Sequence, residues 1–294
     1  MSTMNRVCIT GSGYIGERIA RLAREAGSQV TCMTRSAERR DYLQTQGFDA
    51  IAAPLNDITL IPPMDLDGSV LFYLVPPPGG GIYDQRARNF LQAVAGSSQP
   101  SRIIYMSATS VYTAKDGSMV TEESPALPTS SMGKRRLDAE KAFTAYCAEY
   151  GIPLIILRVS GIYGPGRLPL TQIKQGQPLL RLEESGPSNR IHADDLAQIC
   201  MAAAERGEAG EIFNVSDGNP CSMTEYFNIV ADALGEPRQP QVTMEEAHRV
   251  MSPLMLSYVS ESRVVNPSRM FQRLGITLRY PRLQEGVQDS LPTG

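Results

Sequence analysis

At 294 residues the chain has the length of about two domains at ~150 residues each, and its 42% hydrophobic content suffices for a sizeable core, which excludes a disordered or fibrous protein. Lys and Arg number 28 against 31 Asp and Glu, for a net charge of -3. No like-charge block exceeds Lys134-Arg135-Arg136, so the basic stripe that nucleic acid demands is missing. The 5 scattered cysteines, without a CxxC, and 2 histidines assemble neither a disulfide framework nor a Cys/His metal site. With no signal-peptide pattern and no run approaching the ~18 apolar residues of a membrane span, the expectation is a reduced, cytoplasmic protein with no metal and no membrane partner.

The first half alternates short apolar runs with amphipathic segments, the pattern of β-α-β units around a parallel sheet. Val7-Cys8-Ile9 reads as a buried strand. Ile15, Ile19, Leu22, Ala23 and Ala26 then recur at helical spacing and stop at Gly27. A second strand covers Val30 to Met33, followed by a polar segment from Ser36 to Gln46 and a third strand at Asp49 to Ala53. Ser69 to Val75 is a fourth strand, ended by Pro76-Pro77-Pro78, because proline cannot extend a ladder. Gln85 to Ala95 reads as a helix, Arg102 to Met106 as a fifth strand, Lys134 to Tyr150 as a long helix and Leu154 to Arg158 as a sixth strand. Beyond it the order loosens: a helix follows Asp194, which reads as its N-cap, another spans Met223 to Leu234, and the C-terminal end reads as loop-rich.

The segment Thr10-Gly11-Ser12-Gly13-Tyr14-Ile15-Gly16 places GxGxxG between the first strand and first helix, the arrangement that brings a dinucleotide's pyrophosphate to a helix N-terminus. Where an NAD enzyme would carry Asp or Glu for the ribose 2'-hydroxyl, this chain has Thr34-Arg35-Ser36. An arginine there pairs with a 2'-phosphate, so NADP(H) is favoured over NAD(H).

With IIYMSATSVY, MGKRRLDAEKA, LRVSGIYGPGR, NRIHADDLA and EIFNVSDGNPCSMTEY following TGSGYIG in order, the chain resembles the extended short-chain dehydrogenase/reductases of the NAD-dependent epimerase/dehydratase family, particularly its atypical YeeZ-like members. The resemblance implies a doubly wound Rossmann domain (residues 1–160) with a smaller C-terminal α/β substrate domain (161–294), of which about 190–215 packs back on the first. It also implies a homodimer through the helices near Gln85 to Ala95 and Lys134 to Tyr150. Expected cofactor contacts are Gly11, Gly13, Tyr14, Ile15, Gly16, Thr34, Arg35, Ser36, Val75, Pro76, Ser107 and Arg136.

Departures from the family pattern fall on the chemistry. The family's catalytic Ser/Thr position is Ala108, and its YxxxK tyrosine and lysine fall on Met132 and Arg136. A thioether has no proton to pass and a guanidinium cannot act as a base. The remaining catalytic candidates are Thr109, Tyr163 and Ser107; Tyr112 reads as packing. Candidate substrate contacts are Thr109, Met132, Tyr163, Arg190 and His192, with Arg167 and Arg181 as further anion-binding candidates and His192 also readable as structural. Two functions follow: an oxidoreductase or epimerase-type enzyme acting on a polar small molecule through a displaced proton donor, or a catalytically inactive NADP(H)-binding sensor or regulatory module.

Overall fold

The computed structural model describes residues 4–259 and 262–292. Seven parallel strands form its central sheet: β1 (Arg6–Thr10), β2 (Gln29–Thr34), β3 (Asp49–Ala52), β4 (Val70–Tyr73), β5 (Arg102–Ala108), β6 (Leu154–Val159) and β7 (Ile212–Val215), in the order β7-β6-β5-β4-β1-β2-β3. Strict alternation of side chains along each strand divides the apolar residues between two layers. Val7, Ile9, Phe72, Ile104, Ile155 and Leu157 face one core; Cys8, Leu71, Tyr73, Ile103, Tyr105 and Ile156 face the other. Both faces are covered, which is why these strands read as continuous apolar runs.

Helix α1 (Tyr14–Glu25) lies on the first face, burying Ile15, Ile19, Ala20 and Ala23, and α2 (Ala37–Thr45) adds Leu43 there. Helices α3 (Gln85–Val94) and α4 (Ser131–Tyr150) cover the second face through Phe90, Leu91, Phe143 and Tyr146. The doubly wound α/β class expected from the sequence is therefore borne out. The α4 helix begins ahead of Lys134, because the Ser130 side chain accepts the Gly133 N–H at 3.1 Å and caps it. The polar stretch after β2 is helical as well, capped by Ser36.

After β6 the chain leaves the sheet. Gly161–Tyr163 pairs in parallel with Arg190–His192, and then α5 (Ala193–Arg206) returns to pack against α1 before β7 joins the sheet beside β6. A separate apolar core holds Tyr163, Leu168, Ile173, Leu179 and Leu283 around α6 (Met223–Leu234). The stretch expected to be loop-rich contains four short helices: α7 (Met244–Val250), α8 (Pro253–Val259), α9 (Ser268–Leu274) and α10 (Leu283–Asp289). At this length tertiary contact, rather than intrinsic propensity, sustains a helix, so their sequence signal is weak. Among the described residues, no helix is long and apolar enough to cross a membrane.

Candidate active site

The carboxyl ends of β1, β4, β5 and β6 converge on the side of the sheet where open α/β folds bind ligands. Three glycines after β1 meet three different demands. Gly11 has φ +98°, and a Cβ on it would sit 3.0 Å from both Leu74 C and Val75 N; a Cβ on Gly16 would sit 2.6 Å from the Gly11 carbonyl oxygen, where α1 crosses the turn. A Cβ on Gly13 would meet nothing within 4 Å. Gly13 is also the N-cap of α1, and no side chain caps that turn, so its first N–H groups face the open space above Gly13. Gly13, Tyr14 and Ile15 thus form a cradle that fits a diphosphate.

Beside the cradle a pocket of about 220 Å³ gathers Gly11, Gly13, Thr34, Arg35, Val75 and Pro76. Arg35 is exposed and its guanidinium has no partner among the described residues. Ser36 is committed to its helix, accepting the Arg39 N–H at 3.3 Å. The sequence reading missed three contributors. Arg86 and Asn56 line the same pocket and bond to each other at 2.6 Å, and Arg39 spans from Ser12 O (3.2 Å) to the Glu17 carboxylate. None carries a local motif; the fold brings them there.

A cleft of about 530 Å³ opens at the ends of β5 and β6 and is lined by Ala108, Thr109, Met132, Arg136, Tyr163 and Arg190 among others. Thr109 is half-buried, and Met132 is 38% exposed. Arg136 donates to Met106 O at 3.0 Å, which fixes its guanidinium at the cleft floor. The described lining contains Arg136, Arg167, Arg190 and Arg263 and no Asp or Glu.

Arg190 is only 6% exposed and spends its donors on neutral acceptors: Ser188 Oγ (3.1 Å), Cys221 O (3.2 Å) and Cys221 Sγ (3.1 Å), with its guanidinium 4.1 Å from the Tyr226 ring centroid. No carboxylate pairs with it among the described residues. A buried cation with no carboxylate bonded to it is costly, so this one suits a ligand that brings an anion into contact with it. The nearby Asp217 carboxyl makes no hydrogen bond or ion pair with it; burial pushes that carboxyl up to about 6, against the N–H it accepts from Asn219 and the charge of Arg190, which both lower it.

Three expected contacts are corrected by their surroundings. Ser107 does not line the cleft; its hydroxyl donates to Glu140 Oε1 at 2.6 Å, and Glu140 in turn makes a buried bidentate pair with Arg158 (2.8 and 3.1 Å). Arg158 Nη1 also bonds the Tyr112 hydroxyl, which donates to Asn214 Oδ1 at 2.7 Å, so Tyr112 is held in a structural network. Tyr163 borders the cleft, yet its hydroxyl is sealed: a Cβ on Gly286 of α10 would lie 2.2 Å from it, and burial raises its pKa further above the ordinary phenol value. His192 is fully buried and absent from the lining. Its Nδ1 accepts the Asp194 N–H at 3.2 Å and its Nε2 meets Ser290 Oγ at 3.2 Å, so His192, and not an aspartate, caps α5. Burial lowers its pKa, which favours the neutral ring that can accept that bond. His192, Asp194 and Asp289 bring possible metal-ligand atoms within 4.8 Å of one another, but both ring nitrogens are already engaged. Arg181 lies outside the cleft lining.

Residues 86–216 match the sequence profile of the NAD dependent epimerase/dehydratase family. Protein YeeZ of Escherichia coli strain K12 is 24% identical over 287 residues, covering 95% of this chain and 97% of that protein. A conserved protein of unknown function from Silicibacter pomeroyi DSS superposes with a TM-score of 0.83 at 28% identity, over 97% of both chains. The UDP-glucuronic acid 4-epimerase of Bacillus cereus, solved in complex with NAD, has the same fold, with a TM-score of 0.75 at 19% identity over 97% of both chains. The resemblance read from the motifs is borne out: residues 86–216 match the NAD dependent epimerase/dehydratase family, and similarity to protein YeeZ extends over 95% of the chain.

Proposed function

We propose that this protein binds NADP(H) in preference to NAD(H) and acts as an oxidoreductase or epimerase-type enzyme on an anionic, polar small molecule. The observation that carries the reading is the joining, along the carboxyl ends of the strands, of an open glycine cradle to a cleft whose described lining holds no acid and contains the buried Arg190. Residues 1–160 together with α5 and β7 hold the cofactor, and the C-terminal core supplies the far wall of the cleft. The uncapped start of α1 binds the diphosphate, Arg35 reads the 2'-phosphate, and Arg136 and Arg190 orient ligands in the cleft. A nicotinamide dinucleotide supplies hydride transfer, which this chain's side chains cannot. That a Bacillus cereus relative of the same fold was solved with NAD supports the cofactor class, and Arg35 supports the phosphorylated form.

Thr109 is the catalytic candidate whose side chain remains open to the cleft, since Ser107 is bonded to Glu140 and the Tyr163 hydroxyl is sealed. It holds a substrate oxygen by hydrogen bonding in place of the family's Ser/Thr. Tenfold or tighter binding of NADPH over NADH, with NADPH oxidised one-for-one by an anionic carbonyl compound and the rate reduced by Thr109→Val, is the expected result. Equal or tighter NADH binding overturns the NADP assignment.

A second reading follows from the same inventory. Met132 and Arg136 provide no proton acid, one of three candidate hydroxyls is bonded elsewhere and a second is buried, which favours an inactive NADP(H)-responsive module. Tight NADPH binding without turnover, accompanied by a change in oligomeric state, selects it. The exposed Ile82, Tyr83 and Leu127 beside α4 support a homodimer through α3 and α4, and the free thiols of all five cysteines support a cytoplasmic setting.

A further inference from the structure

We propose that Arg167 is a diphosphate-binding residue, reaching the dinucleotide at the start of α1 from the substrate side of the cleft, with the Tyr14 ring as its support. The proposal rests on the dinucleotide reading above. Tyr14 is the first residue of α1, immediately after the cradle. Its ring carries two guanidiniums, Arg18 at 4.1 Å and Arg167 at 4.3 Å from the centroid.

Their charges are treated differently. Arg18 is neutralised: its Nε lies 2.7 Å from Asp194 Oδ1 and its Nη1 donates to Tyr14 O at 3.0 Å. Arg167 is exposed, and its guanidinium has no hydrogen-bond or ion-pair partner among the described residues. Stacking at an exposed site is a weak restraint set against the rotamer freedom of an arginine, so the ring alone does not explain why a free charge is brought to this point.

The backbone beneath Arg167 is nevertheless held firmly. The Tyr14 hydroxyl donates to Pro165 O at 2.9 Å, the Arg167 N–H donates to Gly164 O at 2.9 Å, and a Cβ on Gly164 would fall 2.6 Å from the Tyr14 hydroxyl and 3.1 Å from Ala193 Cβ. Only glycine fits at 164, and its fit pins the loop to α1. Arg167 also lines the cleft with Arg136. It is the charged residue that touches both the first turn of α1 and the cleft, so a ligand extending from one to the other passes it. Its charge adds to that of the N–H groups at Tyr14 and Ile15 where a diphosphate would leave the cradle.

The experiment measures dissociation constants of wild type, Arg167→Met and Arg167→Lys for NADPH, NADH, 2'-phospho-ADP-ribose and 2'-AMP at two salt concentrations. Arg167→Met is expected to weaken the three diphosphate ligands by a common factor of about ten and to flatten their salt dependence, with 2'-AMP unchanged and Arg167→Lys recovering part of the loss. Thermal unfolding of the variants should match wild type. Unchanged NADPH affinity in a folded Arg167→Met protein overturns the proposal alone, as does an equal loss for 2'-AMP. A wild-type protein that binds no dinucleotide overturns both it and the cofactor reading.

Discussion

Gly13 and Gly16 separate binding from folding within one motif. The Cβ of Gly13→Ala enters open space at φ -88°, so the folded chain has no atom to displace. The N-cap preference for glycine over alanine costs about 1 kcal/mol. For 294 residues an unfolding entropy of ~2.1 cal/mol/K per residue converts 1 kcal/mol into about 1.6 °C of Tm. Gly13→Ala should therefore melt within about 2 °C of wild type. The same methyl stands where a diphosphate oxygen must approach the first N–H groups of α1. Loss of one charge-assisted hydrogen bond, about 1.5–3 kcal/mol, weakens NADPH by about tenfold to more than a hundredfold. Gly16→Ala behaves in reverse order: its Cβ, 2.6 Å from Gly11 O and 3.1 Å from Ile9 Cγ2, forces α1 off β1 and costs about 1–3 kcal/mol, or about 2–5 °C. Titration calorimetry with NADPH, paired with thermal unfolding, reads both. A folded Gly13→Ala protein with wild-type NADPH affinity would refute the placement of the diphosphate over Gly13.

Glu140→Ala strands the Arg158 guanidinium, whose side chain is 6% exposed, with the Tyr112 hydroxyl as its remaining side-chain partner, and should cost about 3–5 kcal/mol in urea unfolding. The double change Glu140→Leu with Arg158→Met should recover most of that loss; a single-variant cost below about 1 kcal/mol contradicts the network. Because burial raises the Asp217 carboxyl from 3.8 to about 6, the folded state binds more protons than the unfolded state between those values, and stability falls as pH rises through that window. Asp217→Asn removes this, so the variant should gain on wild type from pH 4 to 7, by at most about 3 kcal/mol, and a constant difference across the window counts against the assignment. Arg35→Ser should weaken NADPH by about tenfold while sparing NADH, measured as the ratio of dissociation constants; equal losses for both would show that Arg35 does not read the 2'-phosphate.

The features legible in the sequence were local. Apolar runs of strand length between amphipathic segments are a property of neighbouring residues, and they set out the strands of the parallel sheet up to β6 and, apart from α2, the helices that cover it. The cradle was legible for the same reason, since a turn with φ above zero, a close helix crossing and an open approach all fall within Gly11 to Gly16. Thr34-Arg35-Ser36 could be placed because the end of β2 follows the cradle at a fixed interval. Tertiary structure decided whatever depends on a distant partner. Ser107 is withdrawn from the cleft by Glu140, 33 residues away, and His192 by Ser290, 98 residues away. Tyr163 is sealed by a glycine on α10, and Arg190 is buried by Cys221 and Tyr226. Residue type alone leaves a hydroxyl, an imidazole or a guanidinium equally able to serve a ligand or the core. Which it serves is fixed by desolvation and by the hydrogen-bond partner that packing delivers, and neither is encoded in the residues beside it.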